Sequence, residues 1–323
     1  LEAIFEFFGS KGFMVFLQQI VNGLSLGSVY ALIAVGYSLV YSILLFSNFA
    51  HGGFLVVGGY ICYGIVKGLG MSMWIGGAAA ILGAGAVAIM TERFAYRPIR
   101  ERTPLTLYLL IASMGVSIVI ENALVIYPGG RFRALNLDPI QFPLWMQESF
   151  SLPASLPLQS PITIAQGLTI SIFDILTFLV AIAFLLGLQL FLRRTKWGLA
   201  IRAAACDLRT AGLMGVNVGL LVGIVFLVAG GLAAVGGVFL AIRYTLFPQL
   251  GAITIKAFVA AVIGGLGSLP GAVVGSLILG LAEMLSAGFI SSQMRDLVVY
   301  SLLVITLLVR PAGLFGKQIS DKV

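Results

Sequence analysis

Eight polar or ionisable side chains, Asn22, Asn48, His51, Glu121, Asn122, Asp174, Lys256 and Glu283, stand within or near stretches that are otherwise apolar. A charge placed in hydrocarbon costs several kcal/mol unless it is paired or hydrated, so such groups turn toward a bundle interior or a water-filled path. Asn48 and His51 lie in the polar, glycine-containing run Ser47-Asn48-Phe49-Ala50-His51-Gly52-Gly53. Non-helical backbone at membrane depth is tolerated only where protein buries it or where it lines a cavity. Asn22, Asn48, His51, Glu121, Asn122 and Glu283 are therefore the candidates for a translocation path. Asp174 and Lys256 fall near the ends of apolar runs, where snorkelling to the interface is the simpler expectation. For Glu121, Asn122 and Glu283 a hydrogen bond between helices competes with direct ligand contact.

The same residues exclude other chemistry. His51 is the only histidine, and the two cysteines, Cys62 and Cys206, form neither a disulfide framework nor a metal site. No phosphate-binding Gly-x-x-x-x-Gly-Lys-Ser/Thr loop is present. The segment Gly313-Leu314-Phe315-Gly316-Lys317-Gln318 imitates one only superficially. Any nucleotide that powers this protein belongs to another chain, and a cofactor of its own is not expected.

The elements that hold these residues follow from composition. The 323 residues are 60% hydrophobic and 10% charged, with a mean hydropathy of +1.09. A water-facing domain carries about 25% charged residues, so this surface faces lipid. Apolar runs at 13–35, 37–66, 71–90, 105–127, 168–192, 218–242, 253–286 and 297–309 predict an all-α polytopic fold of about eight transmembrane helices. Two of them contain breaks, near 47–53 and 264–271. Spacing-four glycines, Gly23 with Gly27, Gly219 with Gly223, and Gly267, Gly271 and Gly275 in series, predict close helix crossings.

The net charge of +7 is no sign of nucleic acid, because it is spread over loops between spans. Residues 91–104, 193–217 and the tail from Arg310 hold twelve of the nineteen Lys and Arg. The positive-inside rule puts those three regions, and the C-terminus, in the cytoplasm. The side of the N-terminus turns on how the two broken segments are counted, and eight crossings would put it inside too. The opposite-side loop, 128–165, contains six of the eleven prolines, which predicts irregular or extended backbone with one short surface helix near 144–150. No basic leader with a cleavage pattern is evident, since Glu2 and Glu6 precede the first apolar run.

Between two of the spans lies Arg202-Ala-Ala-Ala-Cys-Asp-Leu-Arg-Thr-Ala-Gly-Leu-Met-Gly-Val-Asn217, an Ala-rich basic interruption. It predicts a short cytoplasmic helix that touches a soluble partner and passes its motion to the flanking spans. Arg202, Ala205, Asp207, Arg209, Gly212 and Gly215 are its candidate contact residues.

Several segments together, 18–37, Asn48-Phe49-Ala50-His51-Gly52, Tyr96-Arg97-Pro98, Lys256-Ala257-Phe258 with 260–268, and 311–316, closely resemble the LivH-type permeases of branched-chain amino acid ABC importers. The resemblance runs along the whole chain in order. It implies one transmembrane permease domain over 1–323 with the ABC importer permease fold, a periplasmic loop at 128–165, and an ATPase-coupling loop at 193–217. It implies a bacterial inner-membrane, multi-pass location. The implied partners are a LivM-type second permease, two cytoplasmic ATPase subunits that carry ATP and Mg, and a periplasmic amino-acid-binding protein. The implied cargo is leucine, isoleucine or valine. Ala203 to Ala205 lack the glutamate of the broader Glu-Ala-Ala importer signature, and Asp207 follows instead, which leaves open which residue seats in the ATPase. Urea and short-chain amide permeases look similar over the same segments, and binding of urea by the cognate periplasmic protein would favour them. An ion-coupled secondary carrier is a further class. Uptake driven by an ion gradient without ATP would mark it.

Overall fold

The computed structural model describes residues 10–102, 105–126, 161–165, 168–244 and 246–316. In lipid no water is available to satisfy the backbone, so each apolar run closes its hydrogen bonds within itself as a helix. The long helices are α1 (Ser10–Leu44), α3 (Met73–Thr91), α5 (Thr106–Ile126), α6 (Ile172–Arg194), α9 (Val218–Arg243), α11 (Leu269–Phe289) and α12 (Arg295–Val309). Shorter ones are α2 (His51–Tyr63), α4 (Arg97–Arg102), α7 (Lys196–Cys206), α8 (Leu208–Leu213) and α10 (Thr254–Gly264). Single π-helical turns, Gly64–Gly68 and Glu92–Tyr96, extend α2 and α3. With short extensions at some ends, seven helices among the described residues are long and apolar enough to cross a membrane, and Pro248–Gly264 is shorter.

The count of about eight spans resolves into seven long helices plus the pieces made by the breaks. The first two runs do not divide at Gly36. α1 continues to Leu44 because glycine is tolerated in membrane helices, where neighbouring backbone fits against it. The break comes at Leu45, whose φ of 52° is left-handed backbone that a non-glycine residue adopts at a cost of about 1 kcal/mol. The second break is where the sequence puts it. α10 stops at Gly264, Gly265 and Gly267 take φ of 108° and 83°, and Ser268 caps α11 by accepting from the Gly271 amide at 3.2 Å.

A two-stranded antiparallel hairpin, β1 (Pro161–Ala165) and β2 (Leu168–Ser171), precedes α6. It meets the expectation of extended backbone for the end of the 128–165 loop. It also delays the start of the helix to Ile172. The short helix expected near 144–150 lies outside the described residues.

The chain forms two compact units. In the first, made from residues 1–34, 152–187 and 256–323, α1 and α11 run antiparallel. Phe16 lies beside Phe289, with ring centroids 6.4 Å apart, and further along Gly27 faces Leu277. A Cβ on Gly23 would stand 2.9 Å from the Leu281 Cα, so the crossing depends on the missing side chain. The carbonyls freed at the end of α10 are answered by the tail. Leu314 and Phe315 amides donate to Ile263 and Gly264 at 2.9 and 2.8 Å. Two of the segments that carry the family resemblance thus pair with each other.

In the second unit, residues 35–151 and 188–255, α9 packs on α2 and α3. The core there is built from small residues, Cys62, Ala80, Ala84 and Ala234, with Val66 and Val238. The glycine series splits by role. Gly271 faces backbone, Gly267 forms a turn, and a Cβ on Gly223 would meet nothing within 4 Å.

Candidate functional site

The break after α1 is held by side-chain chemistry inside the second unit. Asn48 is buried, and its Oδ1 accepts from the Ala50 amide at 3.2 Å and from the Tyr96 hydroxyl at 2.8 Å. The Phe49 amide donates to Ser113 Oγ at 3.1 Å. Backbone groups that a continuous helix would have paired are thereby satisfied. Tyr96 comes from the π turn at the end of α3 and packs its ring against Phe46 and Phe226. His51 opens α2 fully buried, edge-on to Tyr37 at 5.9 Å and to Phe54 at 6.3 Å. Next to it Gly52 crosses Gly251 so closely that any Cβ would collide with the Gly251 carbonyl. The structure brings Asn48 and His51 into one packed junction, with Tyr96 as the partner that sequence reasoning missed. The signal was present in Tyr96-Arg97-Pro98, but its helical register depends on the π turn.

In the first unit a charged cluster sits among α1, α10, α11 and α12. Lys256 Nζ donates to Glu283 Oε1 at 2.8 Å and pairs with Asp296 Oδ1 at 2.8 Å. The Tyr30 hydroxyl donates to Glu283 Oε2 at 2.9 Å. Glu283 is 2% exposed and Asp296 67% exposed, so the inner half of the cluster is closed from solvent and the outer half is open. Lys256 is thus held between an internal carboxylate and an exposed one. Asp174 is also engaged, accepting from the Ser25 hydroxyl at 2.6 Å.

The remaining candidates are scattered. Asn22 accepts from Gln18 one turn earlier at 3.1 Å, and Asn122 donates to Ile118 of its own helix at 2.8 Å. Glu121 is half-buried on α5, without a hydrogen bond or ion pair among the described residues. Of the three groups expected to bridge helices, Glu283 alone does so among the described residues.

The segment between α6 and α9 is two short helices. Asp207 adopts an extended conformation and caps α8, accepting from the Arg209 and Thr210 amides at 2.9 and 3.1 Å. An aspartate that binds downstream amides starts a new helix in preference to continuing the old one. The Thr210 hydroxyl and amide, followed by the Arg209 amide and charge, hold its carboxyl below the usual carboxylate range. Thr195 caps α7 and Asn217 caps α9 in the same manner. Gly215, with φ of 90°, turns the chain between α8 and α9. The Arg202 guanidinium donates to the Leu192 carbonyl at the end of α6. Arg202 thus fixes the elbow, while Ala205 and Arg209 are exposed and Gly212 is half-buried. Leu213 and Met214, 82% and 81% exposed, project from the end of α8. Neither is among the contact candidates named from the sequence, although an apolar pair before a turn glycine is a legible signal.

These elements define a multi-pass membrane protein whose polar residues serve helix junctions and a capped surface elbow. Residues 19–307 match the family described as the permease component of branched-chain amino acid transport systems. The permease LivH of Salmonella typhimurium is 39% identical, over 97% of this chain and 100% of its own length. BraD of Pseudomonas aeruginosa is 37% identical, over 95% and 98%. PsaBC from Streptococcus pneumoniae, solved in complex with Fab, superposes with a TM-score of 0.47 at 15% identity, over 92% of each chain. The chain belongs to the family of branched-chain amino acid transport permeases.

Proposed function

We propose that this chain is one permease subunit of an ATP-driven importer in the bacterial inner membrane, carrying leucine, isoleucine or valine. The curated relatives are named for branched-chain amino acid transport, which favours that cargo over urea or amides. Its partners are a LivM-type second permease, two cytoplasmic ATPase subunits that bind ATP and Mg, and a periplasmic binding protein that lands on the 128–165 loop. Helices α5, α6 and α12 leave most of their apolar surface uncovered. Glu121 on α5 is costly against lipid, so a second permease over that face suits it better.

The observation that carries the reading is the elbow between α6 and α9, with its cap at every helix start and its exposed Leu213–Met214 tip. An apolar pair on a short polar segment, directly joined to two spans, is a knob for a soluble cleft. ATPase closure pulls on the knob, α6 and α9 swing, and the path opens outward to receive the amino acid. Hydrolysis resets it inward. Residues at the Asn48–His51 junction and at Glu283 bear on that path by fixing helix positions. Replacing Leu213 and Met214 together by serine is expected to weaken ATPase binding about thirtyfold, as loss of an apolar hot spot does. Membrane insertion stays normal. Unchanged affinity in a pull-down of the ATPase from detergent would refute the contact.

Antiparallel α1 and α11, with α12 following α11 and the tail following α12, support an N-terminus on the side opposite the C-terminus. The basic loops then put Ser10 outside. A cysteine placed at Ser10 should react with an impermeant maleimide in intact cells, while the native Cys206 reacts only after permeabilisation. Labelling of both only after permeabilisation would reverse the assignment.

A further inference from the structure

The last ten residues of the apolar Met73–Arg102 segment carry an arginine cluster that neither the junction nor the elbow uses. Arg93, Arg97 and Arg102 line an open cavity of about 480 Å³ together with Phe94, Pro98 and Glu101. Arg97 is tied to Glu101 by a 2.8 Å ion pair, and Arg100 beside it is tied to Glu92 at 3.1 Å. Arg93 and Arg102 are exposed and have no ion-pair partner among the described residues. Three guanidiniums against one carboxylate leave the cavity with two uncompensated positive charges. It also lies beside the first turn of α9, because a Cβ on Gly219 would stand 3.2 Å from Arg97 Nη1.

The surroundings are apolar on the membrane side. Met90, Phe94, Leu105 and Leu107 are all more than half exposed, and they stand on the end of α3 with its π turn, just before α5 and in the first turn of α5. An open basic cavity that shares the exposed Phe94 with this apolar surface fits an amphiphile with a phosphate head and hydrocarbon tails. Guanidinium is the side chain best shaped for that head, since its planar donors grip phosphate oxygens in pairs.

We propose that Arg93, Arg97 and Arg102 form a binding site for the phosphate headgroup of an anionic phospholipid of the surrounding leaflet, with the acyl chains lying along Met90, Phe94 and Leu107. The bound lipid screens the cluster and anchors the end of α3 at the interface beside the start of α9. Arg93 and Arg102 supply the uncommitted charge, and Arg97 positions the site through Glu101 and Gly219.

The test uses the assembled transporter reconstituted in mixed phosphatidylcholine and phosphatidylglycerol bilayers, with retained lipid identified by native mass spectrometry. Wild type is expected to retain phosphatidylglycerol preferentially. Arg93→Gln and Arg102→Gln each lower that retention about fivefold, the worth of one arginine at an anionic surface. Arg310→Gln, a basic residue outside the cavity, leaves it unchanged. The site is refuted if wild type shows no preference, if both cavity variants retain lipid as wild type does, or if Arg310→Gln loses as much. Displacement of the lipid by inorganic phosphate would also refute it, by marking the cavity as a site for the free ion.

Discussion

Replacing Lys256 by methionine is expected to destabilise the protein by about 3–5 kcal/mol, because it strips a buried carboxylate of its counter-charge. Glu283 is closed from solvent, and without Lys256 the Tyr30 hydroxyl is its one remaining hydrogen-bond partner among the described residues. The double variant Lys256→Met with Glu283→Gln removes both charges, keeps the Tyr30 hydrogen bond, and should recover most of the loss. Asp296→Asn should change stability by less than about 1 kcal/mol, since that carboxylate is largely exposed. Thermal unfolding of the detergent-solubilised protein measures all three. A double variant no more stable than the single one would show that the charge pair is not what holds α10 to α11.

The second large effect is steric. A Cβ on Gly275 would collide with the Ala260 carbonyl and stand 2.7 Å from the Gly264 amide nitrogen, and one on Gly58 would stand 2.6 Å from the Ala234 Cα. Backbone atoms cannot rotate away as a side chain does, so the helices must separate. Gly275→Ala and Gly58→Ala should each cost at least the 1–3 kcal/mol typical of an overpacked core. Gly223→Ala, which meets open space, should be neutral or slightly stabilising. Folded protein in membranes and the unfolding midpoint provide the comparison. Equal behaviour of Gly275→Ala and Gly223→Ala would mean that the close crossing tolerates a methyl group.

Apolar runs, both breaks and the elbow were readable because each rests on local chemistry: length, glycine, and a cluster of polar side chains. Asn48 and His51 stood out for the same reason. What could not be read were pairings set by distant segments. Lys256 and Glu283 are 27 residues apart, and Tyr30 and Glu283 are 253 apart. Each residue is visible alone, but nothing local says that they meet. The split of the elbow into two helices at Asp207 was hidden for a different reason. The residue's Ala-rich surroundings favour one helix, while its carboxylate prefers to bind the amides ahead of it and so divides the segment. The outcome was decided by one cap against a run of good helix formers.

The π turn at Glu92–Tyr96 has a consequence for how the family can vary. Such a turn accommodates one residue more than an α-helical path would, and each residue of a helix rotates the next by about 100°. Deleting a single residue there would let the turn close to ordinary α-helix, so the segment from Arg97 onward keeps its place beside Gly219 while the side chain that reaches Asn48 is lost from the turn. Homologous chains should therefore accept a one-residue gap at this turn only where another group makes the tie to Asn48.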